Sequence, residues 1–213
     1  MSQLDIQVLR LHYKQEEGTF DPLERRLVHE HLLVAELCEQ HEGIHYKLPN
    51  AAELPPRDYR ITFTGLDSIV AIDEDKLPIY GDTHVLEIHL PTGFPVAPPI
   101  CYMVTATWHP NIQSDEGPYQ GRICGNTEGF GAYYSLDKLI MRIRDMLSYE
   151  MYHARLRFPY PEDETVAQWV REYGEPLGIV RPGLGLNREK SIPANWRKLI
   201  RREKRMKIKI NEM

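Results

Sequence analysis

The feature that most restricts the fold is a change of hydrophobic period along the chain. Between residues 22 and 40, Leu23, Leu27, Val34, Leu37 and Cys38 recur at helical spacing. Asp21 precedes this run as a cap, Pro22 stands at the first helical position, and Glu24 completes a capping box. Gly43 offers a stop. After the Pro-rich stretch 48–58 the period drops to two. "DYRITFT" (58–64), "SIVAID" (68–73), "THVLEIHL" (83–90) and "ICYMVTA" (100–106) each place alternate apolar residues on one face. Their connections are short, which predicts an antiparallel meander. Helical period then returns at 135–154, with Leu136, Leu139, Ile140, Ile143, Met146 and Leu147 in one stripe after Ser135. It returns again from Asp163, with Val166, Trp169, Val170 and Tyr173, up to Gly174. Strands and helices in separate runs predict an α+β fold with helices on one face or end of a four-stranded sheet.

Residues 1–20 fit either a short strand or a helix and form an N-terminal extension. The main domain spans 21–173. From 174 to 193 the chain has four Gly and three Pro and reads as a linker, and "NWRKLIRREKRMK" reads as a last helix. The net charge of −5 is uneven. Residues 187–213 carry ten Lys and Arg against three acids, so the remainder is strongly acidic. Such a tail docks on an acidic partner, on nucleic acid or on its own body. Nucleic acid is disfavoured, because the body is acidic and no aromatic residues interleave with the basic ones.

No apolar run approaches the length that spans a bilayer. "MSQLDIQVLR" has no basic segment followed by an apolar one, as a signal peptide would. Three cysteines (Cys38, Cys101 and Cys124), with no Cys-x-x-Cys, argue against a disulfide scaffold and against a zinc site. A reducing, cytoplasmic setting follows, with no metal and no cofactor expected. Cys38 and Cys101 sit in helix and strand patterns and read as small buried hydrophobes.

Cys124 is different. It lies within 104–134, a stretch of little periodicity and of a length that is usually functional or disordered. Its aromatic and aliphatic residues (Trp108, Ile112, Tyr119, Ile123, Phe130) favour order. His109, Pro110 and Asn111 precede the cysteine. His109 and Cys124 alone do not make a metal site. A cysteine hydrolase needs a base near the sulfur, and His109, next to rigid Pro110, is at least as readily structural. Acyl transfer through a thioester needs less: a carrier cysteine and an uncharged donor for the oxyanion, such as the Asn111 amide.

"GFPVAPPICYMVTATWHPNI…GRIC" resembles the ubiquitin-conjugating enzymes. That family carries an aromatic-Pro-x-x-Pro-Pro segment, a strand, His-Pro-Asn-Ile and then Gly-x-Ile-Cys, and the order of elements is similar too. The resemblance spans about 22–173. It implies a ubiquitin-conjugating-like fold and a thioester to a ubiquitin-like protein on Cys124, with transfer to a lysine of a protein substrate. It implies that Asn111 stabilises the oxyanion or braces the loop, and that His109 and Pro110 shape it. Asp163 falls near the family's acidic residue beside the site, where a carboxylate can orient the acceptor lysine. Arg25 and Arg26 fall on the helix that meets the activating enzyme, and Phe94 and Val96 on the loop that meets ligases.

The chain also departs from the pattern. "SDEGPYQG" lengthens the spacing from Asn111 to Cys124, and "GNTEGFGAYY" replaces the family's Leu-Asp, Trp and Ser-Pro-Ala. The last of these removes a ligase contact and leaves a ligase open. The departures resemble bacterial members, some of which act in antiviral operons. The other reading consistent with the resemblance is a non-catalytic module of the same fold that binds ubiquitin-like or activating-enzyme partners.

Overall fold

The computed structural model describes residues 6–123, 133–158, 160–188 and Trp196. Two helices lead the chain, α1 (Ile6–Glu16) and α2 (Pro22–Gln40). The strands β1 (Ile44–Lys47), β2 (Asp58–Ile72), β3 (Pro78–His89) and β4 (Ile100–Met103) follow. Next come α3 (Leu136–Leu147) and α4 (Glu164–Trp169), which continues as one π-helical turn over Val170–Gly174. A small hairpin, β5 (Val180–Arg181) and β6 (Gly185–Leu186), comes last. The sheet is an antiparallel meander in the order β1-β2-β3-β4. Helices cover one face of it. The fold is therefore α+β, as the change of period predicts.

Helix α2 starts where its caps require. The Asp21 carboxylate accepts the Glu24 N–H at 2.8 Å, and the Glu24 carboxylate accepts the Asp21 N–H at 2.8 Å. The helix ends at Gln40 rather than at Gly43. Gly43 serves a different purpose: a Cβ there would lie 2.7 Å from the Thr64 carbonyl oxygen, so glycine lets β1 enter the sheet.

The main sheet has the expected four strands, but they are not the same four. The runs 58–64 and 68–73 form one strand, β2, which bends at Gly65 (φ +67°) and shifts register between Thr64 and Ser68. The fourth strand is β1, paired from Ile44↔Phe63 to Lys47↔Arg60. Four residues hold too little alternation for the period to show.

The core lies between the sheet and the helices. Tyr59, Ile61 and Phe63 of β2 and Leu86 and Ile88 of β3 are buried there, with the expected stripe of α3. Each buried aliphatic side chain contributes roughly 1.5–3 kcal/mol. Helix α1 adds Ile6, Leu9 and Tyr13 to this cluster, so the N-terminal extension is packed into the body over its helix. A second cluster joins Ile69, Tyr149, Ala167, Trp169 and Val170 to Ile179 and Val180. The Gly- and Pro-rich stretch read as a linker is thus packed against the body as far as Leu186, whose N–H donates to the Ser148 carbonyl at 3.1 Å. The expected last helix falls outside the described residues, apart from Trp196.

Two buried polar groups tie the helices together. His31 of α2 sits between the Tyr13 hydroxyl (2.7 Å) and the Tyr46 hydroxyl (3.3 Å), which links α1, α2 and β1. Glu30, fully buried, takes the Arg26 guanidinium at 2.6 Å and the free N–H of Leu136 at 2.6 Å. That second bond closes the start of α3. Ser135 stands at the cap position, but its side chain makes no capping bond. Replacing Glu30 with alanine leaves the Leu136 N–H and Arg26 without this acceptor. The expected loss is about 3 kcal/mol, because removing one partner of a buried ion pair is strongly destabilising. Urea denaturation with unchanged m-value checks this; a loss well under 1 kcal/mol would refute the role assigned to Glu30.

Candidate active site

Cys124 lies outside the described residues, and the site is built from what surrounds it in sequence and space. The segment before it is well defined. Ile123 pairs with Ile112 in an isolated antiparallel bridge, and its N–H donates to the Cys101 carbonyl at 3.1 Å. Gln113 N–H donates to the Arg122 carbonyl at 2.9 Å, and Gly121 N–H donates to the Gln113 carbonyl at 2.8 Å. The inserted "SDEGPYQG" is therefore the tip of a hairpin laid along β4. Gly121 permits the approach: at φ +78° a Cβ would lie 2.0 Å from the Met103 carbonyl oxygen. The residue after Asn111 and the residue before Cys124 are partners in this hairpin, so the insertion loops outward between them.

His109 and Pro110 are buried at the base of the hairpin. The His109 ring packs against Tyr149 with centroids 4.8 Å apart. Its Nδ1 accepts the Asn111 N–H at 3.2 Å, which assigns the ring proton to Nε2. Burial pushes its pKa down to about 3, with a weaker opposing contribution from the Met151 backbone. A neutral ring enclosed on all sides and engaged by backbone shapes the loop.

Asn111 acts as a clamp. Its Oδ1 accepts the His153 N–H at 2.8 Å, and its Nδ2 donates to the His153 carbonyl at 3.4 Å. The segment after α3 is thereby fixed to the His-Pro-Asn turn. Helical spacing carried α3 to residue 154, but the helix ends at Leu147. Tyr149 takes φ +61°, an unfavourable region for a bulky residue. Complete burial holds it there, with its hydroxyl donating to the Trp108 carbonyl.

Asp163 is buried at the start of α4. Its Oδ1 accepts the Val166 N–H at 2.9 Å as the helix cap, and its Oδ2 accepts both the N–H (2.9 Å) and the hydroxyl (2.5 Å) of Ser114. Its own N–H donates to the Pro110 carbonyl at 3.0 Å. The neighbouring Glu162 grips the other arm of the hairpin through Arg122, at 2.7 Å from its Nε. Two consecutive carboxylates thus hold both arms of the inserted hairpin against α4. Ser114, Glu162, His153 and Tyr149 were not singled out in the sequence. Ser114 and Glu162 carry no local signal, since their partners are 49 and 40 positions away.

The expected partner-facing residues divide. Arg25 is exposed, with Nε 3.1 Å from the Phe20 carbonyl. Arg26 reaches inward to Glu30 and to the Tyr134 carbonyl at 3.1 Å, with its guanidinium 5.5 Å from the Phe94 ring centre. Phe94 is buried and Val96 is 88% exposed, so of the two only Val96 presents its side chain to a partner in this conformation. Cys38 and Cys101 are buried, which pushes both thiols up to about 12. Among the described residues, no group of three or more His, Cys, Asp and Glu side chains could hold a metal ion, and no helix is long and apolar enough to cross a membrane.

The family model described as "Ubiquitin-conjugating enzyme" matches residues 67–159. That range is less than half of the chain, yet it holds Phe94, Val96, the His-Pro-Asn turn, the inserted hairpin, Cys124, α3 and the His153 loop. It supports a ubiquitin-conjugating-like fold and the family resemblance over that stretch. Arg25, Arg26 and Asp163 lie outside it. No curated protein matches the chain.

Solved structures similar to the chain include a Plasmodium yoelii protein described as a ubiquitin conjugating enzyme. It has 19% identity and a TM-score of 0.49, with 71% of this chain and 86% of that one covered. The E2 domain of a Toxoplasma gondii ubiquitin conjugating enzyme has 22% identity and a TM-score of 0.48, with 71% and 88% covered. Human ubiquitin-conjugating enzyme E2 G1 has 20% identity and a TM-score of 0.41, with 58% and 95% covered.

Burial of neutral histidines has a measurable consequence. His31 is pushed down to about 4 and His109 to about 3, and His84 is lowered in the same sense, all mainly by burial. Unfolded histidines titrate near 6.5, so below about pH 6.5 the unfolded chain binds protons that the folded chain refuses. The stability from these groups is complete above about pH 6.5 and is lost as the pH falls towards the folded values. At pH 5, His31 and His109 each cost roughly 2 kcal/mol. The melting temperature should drop by several degrees between pH 7 and pH 5 in scanning calorimetry; a flat profile would contradict neutral His31 and His109 in the folded chain.

Proposed function

We propose that the protein is a ubiquitin-conjugating enzyme. In this reading it carries a ubiquitin-like protein as a thioester on Cys124 and transfers it to a lysine of a protein substrate. The observation that carries this reading is the Ile112–Ile123 pair within the family-matched stretch. It joins the His-Pro-Asn turn to the strand that leads into Cys124, despite the inserted residues between them. Charging exchanges one thioester for another. The Cys124 thiolate attacks the carbonyl carbon of the thioester on an activating enzyme, and that enzyme's thiolate leaves. Transfer follows when a neutral lysine amine attacks the new thioester, the C–S bond breaks and the amine's proton is lost. A thioester is reactive enough that no strong base has to activate the cysteine, which fits a neutral, enclosed His109.

Asn111 in this reading works first as a brace. Its amide holds the His153 backbone, and the turn it fixes is the one that faces the segment before Cys124. Asp163 acts through Ser114 and Pro110, positioning the loop rather than meeting the acceptor amine. Arg25 and Val96, both exposed, are the proposed contacts for the activating enzyme and for a ligase. The alternative, a binding module of the same fold, has Cys124 present without using it. The departures after Cys124 support a bacterial-type member, for which genes encoding a ubiquitin-like protein and an activating enzyme are expected alongside.

One assay separates the two readings. The protein is incubated with a ubiquitin-like protein, its activating enzyme and ATP, then resolved without reductant. A thiol-sensitive adduct absent from Cys124→Ala is the expected result; no adduct with the cognate partners would leave the binding module. Asn111→Ala leaves the His153 N–H and C=O without their partner. It should therefore lower stability by about 1–2 kcal/mol and slow transfer as well. A variant that transfers slowly but melts like the parent would mean that Asn111 acts on the thioester directly.

A further inference from the structure

The turn between β2 and β3 is strongly acidic and carries a specific seat. Residues 67–82 include Asp67, Asp73, Glu74, Asp75 and Asp82 against the single base Lys76. The turn is rigid. The Asp73 carboxylate accepts the N–H groups of Asp75 (2.8 Å) and Leu77 (2.9 Å), and Lys76 takes φ +65°. Two adjacent carbonyls of this turn accept indole N–H groups. Trp169, from α4 in the second core, donates to the Lys76 carbonyl at 2.9 Å. Trp196, at the head of the basic segment, donates to the Asp75 carbonyl at 3.1 Å. The Trp196 ring also meets the Tyr173 ring edge-on, with centroids 6.0 Å apart. A second anchor precedes it: Arg188 forms an ion pair with Asp67 and lies 4.9 Å from the Tyr80 ring centre.

We propose that the acidic β2–β3 turn is the docking surface for the chain's own basic C-terminal segment, residues 197–213. Three observations commit the surface to this occupant. Arg188 and Trp196 bring the chain onto it at two points. Eight Lys and Arg fall between Arg197 and Lys209, against the single Glu203, opposite in sign to the turn. The seat at Asp75 takes an indole N–H, which Trp196 supplies immediately before the segment. The β5–β6 hairpin ahead of Arg188 bonds Ser148 beside Tyr149, the residue that packs on His109. None of this depends on the chemistry of Cys124.

Exposed ion pairs are screened by salt, whereas an indole hydrogen bond and ring contact are not. The test is limited trypsin digestion of the full chain at 50 and 500 mM NaCl, with sites read by mass spectrometry, beside hydrogen exchange over 66–82 and 197–213. In the wild type, cleavage within 197–209 should be slow at low salt and about tenfold faster at high salt. Trp196→Ala should be cut quickly at both and should raise exchange at 73–77. Arg188→Asp and Asp67→Arg should each weaken protection, and the two together should restore it. Equal cleavage of wild type and Trp196→Ala at low salt would overturn the proposal. So would protection that arises only when heparin is added as a polyanion probe, which would assign the segment to an external acidic partner.

Discussion

The geometry of the candidate site depends on one buried carboxylate. Asp163 caps α4, holds both the N–H and the hydroxyl of Ser114, and gives its own N–H to Pro110. Four connections meet in one residue, and they join the loop ahead of Cys124 to the helix behind it. A carboxylate suits this position because it accepts several donors at once, and hydrogen bonds to a charged group are worth more than neutral ones. With Glu162 holding Arg122, the pair adds a side-chain tie on each arm of a hairpin that backbone bonds already join to β4.

Other parts of the site also rest on enclosed polar groups, although the ring Nε2 of His109 is buried without a hydrogen-bond partner among the described residues. Asn111 satisfies a backbone N–H and a carbonyl that no regular element would cover. His109 is kept neutral by burial and turns its acceptor nitrogen to the backbone. Tyr149 holds a strained backbone conformation because its ring and hydroxyl are both engaged. These residues give the loop rigidity. In the proposed reading, an already activated acyl group would need a well-placed carrier and acceptor more than a strong base.

Away from the site, Glu30 performs the corresponding task for the frame. It closes the start of α3 and pairs Arg26, and so fixes the helix that covers the sheet. Arg26 read from sequence as a residue of a partner-facing helix surface. Helical spacing placed it on α2, but only the packing of α2 against α3 decides that its guanidinium turns inward to a buried carboxylate.

Legibility in the sequence differs from residue to residue. Asp21 and Glu24 announce the start of α2, and the α3 stripe from Leu136 to Leu147 is buried in full, because both signals are local and repeat over many residues. The four residues of β1 show no legible period, and the pattern splits 58–73 in two where the structure has one strand, because strand identity rests on partners that the period of one segment does not name. The packed course of 174–188 was hidden by its Gly and Pro content, which marks turns but not whether they dock. The sequence by itself determined the α+β class, the antiparallel meander and the cap at the start of α2, since these depend on periodicity and on local motifs read in order. Only the tertiary structure decided that Asn111 clamps His153, that Asp163 and Glu162 hold the inserted hairpin, and that Trp196 reaches the β2–β3 turn. Each of those contacts joins residues some 40 or more positions apart, and such pairings are set by the packing of whole elements.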